Sequence, residues 1–352
     1  MNLGYACINT QIDVCCNRTC RLATVIKKGE ETGCKKGSKK YSAAIYNFLT
    51  EYGLNNLKAM YDIIEWSVQN GIHFYRASSG IFPHLSNKRI QEHMTETDYM
   101  NYYSLSFAED LIFDIGKYAQ KHGIRLTMHP DHYNQLGTKT KEVLDNTFTD
   151  LMWHARLLDL LEMGAEAYLQ YKVSPSKLYN GNENIMKHSV MCAHLGGKFG
   201  DKTATIARWK KNFKKLPEWV QKRVCLENCE KGYNVEDLLP VCQELNIPLI
   251  FDFHHYNCWA HYHTDNPHQE SISKLMPAIL KTWERRGIVP KFHLSDQDLN
   301  KNIGAHHDYV QSIPDELIFL MKQKYRIDIM IEAKMKEVAT MKLMKKYSYL
   351  SK

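Results

Sequence analysis

Six short apolar runs in this chain end in residues of the kind that bind metals. They are Met128-His129-Pro130, Ala193-His194-Leu195-Gly196-Gly197, Leu226-Glu227-Asn228, Phe251-Asp252-Phe253-His254-His255, Lys291-Phe292-His293 and Ile331-Glu332-Ala333-Lys334. Taken singly, none is informative, because a lone histidine after a strand is more often a hydrogen-bonded structural residue and a lone glutamate usually faces solvent. Taken together, imidazoles and carboxylates with no convergent thiolate suit Zn²⁺, Mn²⁺ or Fe²⁺. Several carboxylates at one place repel one another unless cations lie between them. The pattern therefore points to a multinuclear metal site. Clustered divalent ions polarise phosphoryl oxygens, generate hydroxide near neutral pH and stabilise a leaving alkoxide. The same ligands can also hold a sugar for isomerisation, and spacing does not separate the two chemistries.

The elements that must position these residues alternate regularly. Eight runs read as strands: Leu3–Ile8, Ile72–Ala77, Ile124–Met128, Val190–His194, Val224–Glu227, Pro248–Phe253, Lys291–Leu294 and Asp328–Glu332. Between them lie segments with helical periodicity, at Asn56–Val68, Leu105–His122, Phe148–Met163, Val235–Leu245, Ile272–Trp283 and Pro314–Lys324. Breakers such as Asn70-Gly71, His122-Gly123 and Arg286-Gly287 stand at helix exits. Eight strand–helix alternations predict an α/β fold, a (β/α)8 TIM barrel in a single domain, whose catalytic groups sit at the C-terminal ends of the strands. The expected division is a barrel domain over residues 1–337 and a basic C-terminal tail over 338–352, loose over Lys342–Lys352. Gly29–Lys40 and Pro175–Asn184 read as loops.

Composition narrows the function classes. The chain has 352 residues, 44% hydrophobic and 24% charged, which excludes wholesale disorder. No apolar run approaches the ~18–20 residues of a membrane span. The N-terminal residues lack the charged-then-apolar pattern of a secretory signal, so an intracellular location is expected, cytoplasmic or nuclear. Ten cysteines with no C-x-x-C pair suggest reduced thiols, a zinc site from Cys15, Cys16, Cys20 and Cys34 being the minor alternative. The net charge of +7 permits a polyanionic partner, although a lysine-rich surface alone explains it. Loops after the strands lean toward nucleic acid. Arg18-Thr19-Cys20-Arg21, His132-Tyr133 and Asn257-Cys258-Trp259 with His261 and His263 offer cations for phosphates and aromatics for bases. Each aromatic taken alone could simply pack under its own loop.

The motifs in order are LGYACIN (3–9), RTCRLAT (18–24), YRASSGIFPHLSN (75–87), MHPDHY (128–133), AHLGGKFGDK (193–202), LEN (226–228), FDFHHYN (251–257), KFHLSDQD (291–298), GAHHDYV (304–310) and IEAKMKE (331–337). In this combination the chain resembles the UV damage endonuclease family, metal-bearing TIM-barrel DNA repair nucleases related to the endonuclease IV type. The resemblance implies incision immediately 5′ to cyclobutane pyrimidine dimers and 6–4 photoproducts in double-stranded DNA, leaving 3′-hydroxyl and 5′-phosphate. It implies two or three divalent ions, manganese first and zinc or iron as alternatives, held by His129, His194, Glu227, Asp252, His255, His293, His306 and Glu332. It casts Glu227 as the bridging carboxylate, Lys291 as a lysine beside the metals, and Tyr5 as a third catalytic group. Tyr5 and Asn9 would lie near the scissile phosphate, while Arg18, Arg21, His132, Tyr133 and Tyr256 would contact DNA. Lys291 shares inward parity with His293 two residues on. Three positions depart from the family. Gly80 stands where histidine or an acid is frequent, His132 where glutamine is common beside the tyrosine, and Tyr256 where a third histidine is common. They bear on metal stoichiometry and lesion preference. A monomer is expected. The competing readings are an apurinic endonuclease, a metal-dependent sugar isomerase on the same barrel, and a catalytically dead binding protein.

Overall fold

A computed structural model describes residues 2–170 and 183–350. Its centre is a closed barrel of eight parallel strands in sequential order, β1 to β8, with β8 pairing back onto β1. The strands are β1 Asn2–Ala6, β2 Phe74–Ala77, β3 Arg125–Met128, β4 Met191–Ala193, β5 Val224–Glu227, β6 Leu249–Asp252, β7 Lys291–Leu294 and β8 Asp328–Ile331. This is the expected (β/α)8 architecture. Strands β3, β5, β6, β7 and β8 are buried at every residue, because one face meets helices and the other the barrel interior.

The helices form the outer layer. α1 (Leu22–Glu30) and α2 (Lys39–Gln69) follow β1. α3 (Lys88–Gln91), α4 (Glu96–Tyr103) and α5 (Glu109–His122) follow β2. α6 (Lys141–Gln170) follows β3, and α7 (Lys202–Phe213) and α8 (Glu218–Gln221) follow β4. α9 (Val235–Leu245) follows β5, α10 (Phe253–Tyr262) and α11 (Ile272–Glu284) follow β6, α12 (Asp315–Lys322) follows β7 and α13 (Lys336–Lys346) follows β8. α5 and α6 cross closely because both carry glycine at the contact. A Cβ on Gly116 would lie 2.1 Å from the Leu161 carbonyl oxygen, and one on Gly164 would lie 2.3 Å from that of Phe113. Among the described residues no helix is long and apolar enough to cross a membrane.

Several element boundaries differ from expectation. The helix expected at Asn56–Val68 is the C-terminal part of the 31-residue α2. The loop expected at Gly29–Lys40 is bounded by helix on both sides, since Gly29 ends inside α1 against the Tyr41 ring and Lys39 opens α2. The sixth strand stops at Asp252, whose Oδ1 accepts the His255 backbone N–H at 2.8 Å and caps α10. His254 and His255 therefore sit in a first helical turn rather than on a strand. The expected boundary at 337/338 falls inside α13, whose Ala339 and Leu343 are buried. Tyr347 beyond it is also buried, its hydroxyl accepting from the Ile313 amide at 3.1 Å. Residues 342–347 are thus part of the barrel shell and not a loose tail. Of the loop expected at Pro175–Asn184, residues 175–182 lie outside the described residues.

Candidate metal centre

Alternation along parallel strands sends every second side chain inward, and the barrel interior is layered accordingly. At its base Arg125 of β3 reaches across to Asp328 of β8, with Nη1 to Oδ2 at 2.9 Å and both side chains buried. Above them lies Lys291, fully buried, its ammonium 6.0 Å from the Phe74 ring centroid. At the C-terminal rim Arg76 of β2 pairs with Glu332, just past β8.

The ligand-type side chains converge at that rim around Glu227. Its Oε2 lies 3.4 Å from His129 Nε2 and 3.7 Å from His194 Nε2. Its Oε1 lies 2.9 Å from His293 Nδ1 and 3.5 Å from His255 Nδ1. His293 Nδ1 is also 3.3 Å from Glu332 Oε1. Four overlapping sets have potential ligand atoms within 4.8 Å of one another: His129/His194/Glu227, Cys192/Glu227/His293, Glu227/Asp252/His255 and Asp252/His293/Glu332. Supporting bonds orient the rings: His129 Nδ1 lies 2.9 Å from the Pro130 carbonyl and His255 Nδ1 2.9 Å from that of Asn228. The Asn228 side chain clamps β6 to β5, donating to the Asp252 carbonyl at 3.0 Å and accepting the Asp252 amide at 2.8 Å.

Electrostatics separate the groups. Burial lowers His194 to about 3 and His293 to about 4, leaving neutral imidazoles, the form that coordinates a cation. Burial also pushes Asp252 up to about 7, with the neighbouring Glu227 and Glu332 charges adding to it and His255 opposing. Burial opposes ionisation of Glu227 and Glu332 too, but it is outweighed. His293 and His194 hold Glu227 well below the usual carboxylate range, and Arg76 and His293 do the same for Glu332. For His255, Asp252, Glu227 and Glu230 overcome burial and raise it to about 10. Burial, reinforced by Arg76 and Arg125, lowers Lys291 to about 8.

The donor set fits divalent cations. Asp252 Oδ2, His293 Nε2 and His194 Nδ1 are buried without a hydrogen-bond partner, as is Lys291 Nζ one layer below. Unpaired buried polar atoms of this kind are costly, and a cation among the rim atoms would relieve it.

Seven of the eight expected ligands belong to these sets; His306 does not. It sits on the loop after β7, bridged to Gln297, with its ring 5.3 Å from that of His254. Lys291 has the expected inward parity. Tyr5 is not brought to the cluster. Its hydroxyl meets Ser67 of α2 at 2.8 Å and the Asn9 amide at 2.8 Å, so it faces the helix layer with both partners buried. The Tyr5 hydroxyl is thus engaged by Ser67 and Asn9 rather than by the candidate ligands, and Asn9 is buried beside it on the loop that follows β1. Tyr256 is likewise engaged by its own neighbours. Its hydroxyl donates to the Glu270 carbonyl at 2.9 Å and its ring packs 5.4 Å from Phe251, so it serves the core. Trp259 is buried and stacks on His263 at 3.5 Å, packing under its own segment.

The other expected DNA contacts do face out. Arg18 and Arg21 are exposed, and Asn56 clamps the Arg18 backbone through bonds of 3.0 and 2.9 Å. His132 stacks on His194 with centroids 4.8 Å apart. Tyr133 is 54% exposed, with its hydroxyl donating to the buried Asp150 at 3.1 Å. At Gly80 a Cβ would approach Asn17 and Ser78, neither of them charged.

Two neighbours of the cluster went unnoticed in the sequence. Cys192 Sγ lies 2.6 Å from Glu227 Oε2, so a sulfur does converge on the site. Burial and the Glu227 charge raise its pKa well above the ordinary value and keep it a thiol, a donor to Glu227. The second is Arg76. Both carry inward parity, Cys192 two residues before His194, and that was the available signal.

A closed barrel whose C-terminal rim gathers imidazoles and carboxylates around one central glutamate defines a candidate metal-binding (β/α)8 protein. The chain belongs to the UV-endonuclease UvdE family, whose model matches residues 1–352. It is 35% identical to a protein of Acanthamoeba polyphaga mimivirus named as a candidate UV-damage endonuclease, over 99% of this chain and 91% of that one. It is 33% identical to a UV-damage endonuclease of Schizosaccharomyces pombe over 98% of this chain, yet spans only 50% of that protein. The crystal structure of SacUVDE superposes with a TM-score of 0.73 at 24% identity, covering 100% of this chain and 99% of that one, which establishes the shared fold.

Proposed function

We propose that this chain is a metal-dependent DNA repair endonuclease that incises the phosphodiester immediately 5′ to UV photoproducts, leaving 3′-hydroxyl and 5′-phosphate. The observation that carries the reading is the convergence of His129, His194, Asp252, His255, His293 and Glu332 around Glu227, with buried ligand atoms left unpartnered. Names borne by the relatives support the substrate. Two or three divalent ions, manganese first, would be held by these residues. When bound, such ions polarise a phosphoryl oxygen and acidify a water enough to attack near neutral pH. Glu227 would be shared between ions from the centre. Arg76 holds Glu332 ionised, and Lys291 places a buried positive charge beneath the carboxylates. Arg18 and Arg21 would meet phosphates flanking the cut.

An incision assay on UV-irradiated supercoiled plasmid tests this. Nicking with Mn²⁺ and none after chelation is expected. Nicking confined to abasic plasmid would favour the apurinic reading, and ketose–aldose exchange without DNA binding would favour an isomerase.

Binding is expected to weaken steeply with salt, because a +7 chain with exposed Arg18 and Arg21 would release phosphate counterions. If about six phosphates are neutralised, affinity falls on the order of 10³-fold between ~50 and ~200 mM salt. Fluorescence anisotropy titrations check it, and a flat dependence overturns the electrostatic mode.

His132 and Tyr133 are proposed to probe the lesion. Their loop is ordered by Asp150, which accepts from Tyr133, Ser86, Asn134 and Trp153, so the exposed Tyr133 ring is presented by a fixed handle. Base–aromatic stacking is worth roughly 1–3 kcal/mol. The double variant His132→Ala/Tyr133→Ala should lose about tenfold in preference for irradiated over intact duplex. Metal content is measured alongside, since His132 stacks on the ligand His194. Full retention of preference would place sensing elsewhere.

A further inference from the structure

Leu299 is 89% exposed on the loop that follows β7, the most solvent-exposed of the large apolar side chains among the described residues. Single exposed leucines are ordinary on protein surfaces, but this one is held out by a loop with little freedom. Preceding it, Asp298 is buried. Its amide donates to the Ala305 carbonyl at 2.8 Å, while its carboxylate accepts the Asn300 amide at 3.1 Å and Lys334 Nζ at 2.8 Å. Gln297 ties the base of the loop, donating to the Asp298 carbonyl at 2.8 Å and accepting the Gly304 amide at 2.8 Å. Tyr262 of α10 fixes the far side by donating to the Ile303 carbonyl at 2.6 Å. Fixing an apolar group in water has no folding benefit.

Its position in the barrel supplies the reason. In a closed ring of eight strands β7 lies diametrically opposite β3, and both loops rise from the rim that carries the ligand cluster. Tyr133 stands on one side of that cluster and Leu299 on the other. A cleft of about 580 Å³ at the foot of the loop is lined by His254, Asn257, His261, Asn300, His307 and Gln311. Leu299 itself, Ile303, Cys258 and the carboxylate of Asp296 are also part of the wall; the amide and imidazole groups among these residues are able to bond a sugar–phosphate strand.

We propose that Leu299 is a second duplex-contacting wedge, entering from the β7 side of the rim, and that Leu299 and Tyr133 grip bent DNA across the ligand cluster. The inference rests on the nuclease reading above. Apolar side chains inserted between base steps unstack and kink a duplex, and a kink bracketed from both sides holds one phosphate over the cluster.

The test uses the full chain with Mn²⁺, Leu299→Ala and Leu299→Met. The duplex carries a defined pyrimidine dimer, end-labelled for FRET, with 2-aminopurine placed in turn at each nearby step. For the parent, shortened end-to-end distance and a fluorescence rise at one step beyond the dimer are expected. Leu299→Ala should lose that rise, relax the bend and bind about tenfold more weakly, while Leu299→Met, a side chain of similar reach, restores both. If the parent incises the dimer and Leu299→Ala binds, bends and unstacks like it, the wedge is overturned and the nuclease reading stands. If the parent neither binds nor incises the dimer, the nuclease reading fails and the wedge with it.

Discussion

Glu227→Gln is expected to abolish incision while leaving the barrel folded. The side chain is fully enclosed and lies within 3.7 Å of nitrogen atoms from His129, His194, His255 and His293. It is the one residue shared by the His129/His194 and Asp252/His255 groups. The amide keeps shape and volume but removes the negative charge that a pair of cations would share. Lewis-acid stabilisation is worth several kcal/mol, so on the order of 10³-fold or more of rate is at stake. The variant also replaces an acceptor for Cys192 Sγ with an amide that still offers one carbonyl oxygen. Nicking of irradiated plasmid should be compared at equal metal content, determined by elemental analysis, with far-UV circular dichroism to confirm the fold. A near-parental rate at matched loading would falsify the central role of Glu227.

The candidate cluster was legible because metals demand few residue types and a (β/α)8 barrel presents them in one place, the strand ends. Seven positions could be found without knowing any distance. The positions that lie outside the cluster do so for specific reasons. Tyr5 belongs to a strand whose two parities are both small or apolar, Leu3 and Tyr5 against Gly4 and Ala6. Pattern alone does not say which parity faces inward, and here Tyr5 faces α2. Tyr256 follows two histidines, but Asp252 caps a helix immediately after β6, and helical rather than extended geometry turns Tyr256 toward Phe251. His306 lies in a loop, where neither period constrains direction. Cys192 was overlooked although its parity with His194 places it inward. A buried thiol beside a carboxylate is a donor, a role that a search for thiolate ligands does not consider.

The barrel itself was legible from eight β-rich runs, and the helix extents were not. The first half of α2 carries buried Tyr41, Ser42, Ile45, Leu49 and Thr50 among polar residues, a stripe too sparse to read alone. It is helical because α1 packs on it, with Gly29 against the Tyr41 ring. The C-terminal segment is basic by count, but Ala339, Leu343 and Tyr347 form the stripe that docks it. Tertiary packing decided both cases, as it does for most helices.

Asp328→Ala is expected to destabilise the protein more than any other single change at the base of the barrel. Asp328 is buried and accepts from Arg125 Nη1 at 2.9 Å and from Asn2 Nδ2 at 2.9 Å. The Arg125 guanidinium is itself enclosed, lying 5.6 Å from the Phe74 ring and 6.0 Å from the Trp283 ring, with Nε on the His188 carbonyl at 2.8 Å. Removing the carboxylate leaves a full positive charge buried and uncompensated beneath Lys291, which burial already holds at a lowered pKa. Breaking such a pair costs about 3–5 kcal/mol. At roughly 2 °C per kcal/mol for a chain of this size, Tm should fall by about 6–10 °C. The sequence distance between the partners makes the effect global, since β3 and β8 meet only through the interior. The double variant Arg125→Met/Asp328→Leu separates this charge effect from lost packing. With the charge and its partner both gone, most of the stability should return, because a buried pair replaced by apolar groups is often neutral. Urea unfolding at fixed metal concentration reads both variants. If Asp328→Ala matches the parent within ~0.5 kcal/mol, the size expected of a neutral surface change, the pair contributes nothing and Arg125 must be satisfied by the Phe74 and Trp283 rings and the His188 carbonyl alone.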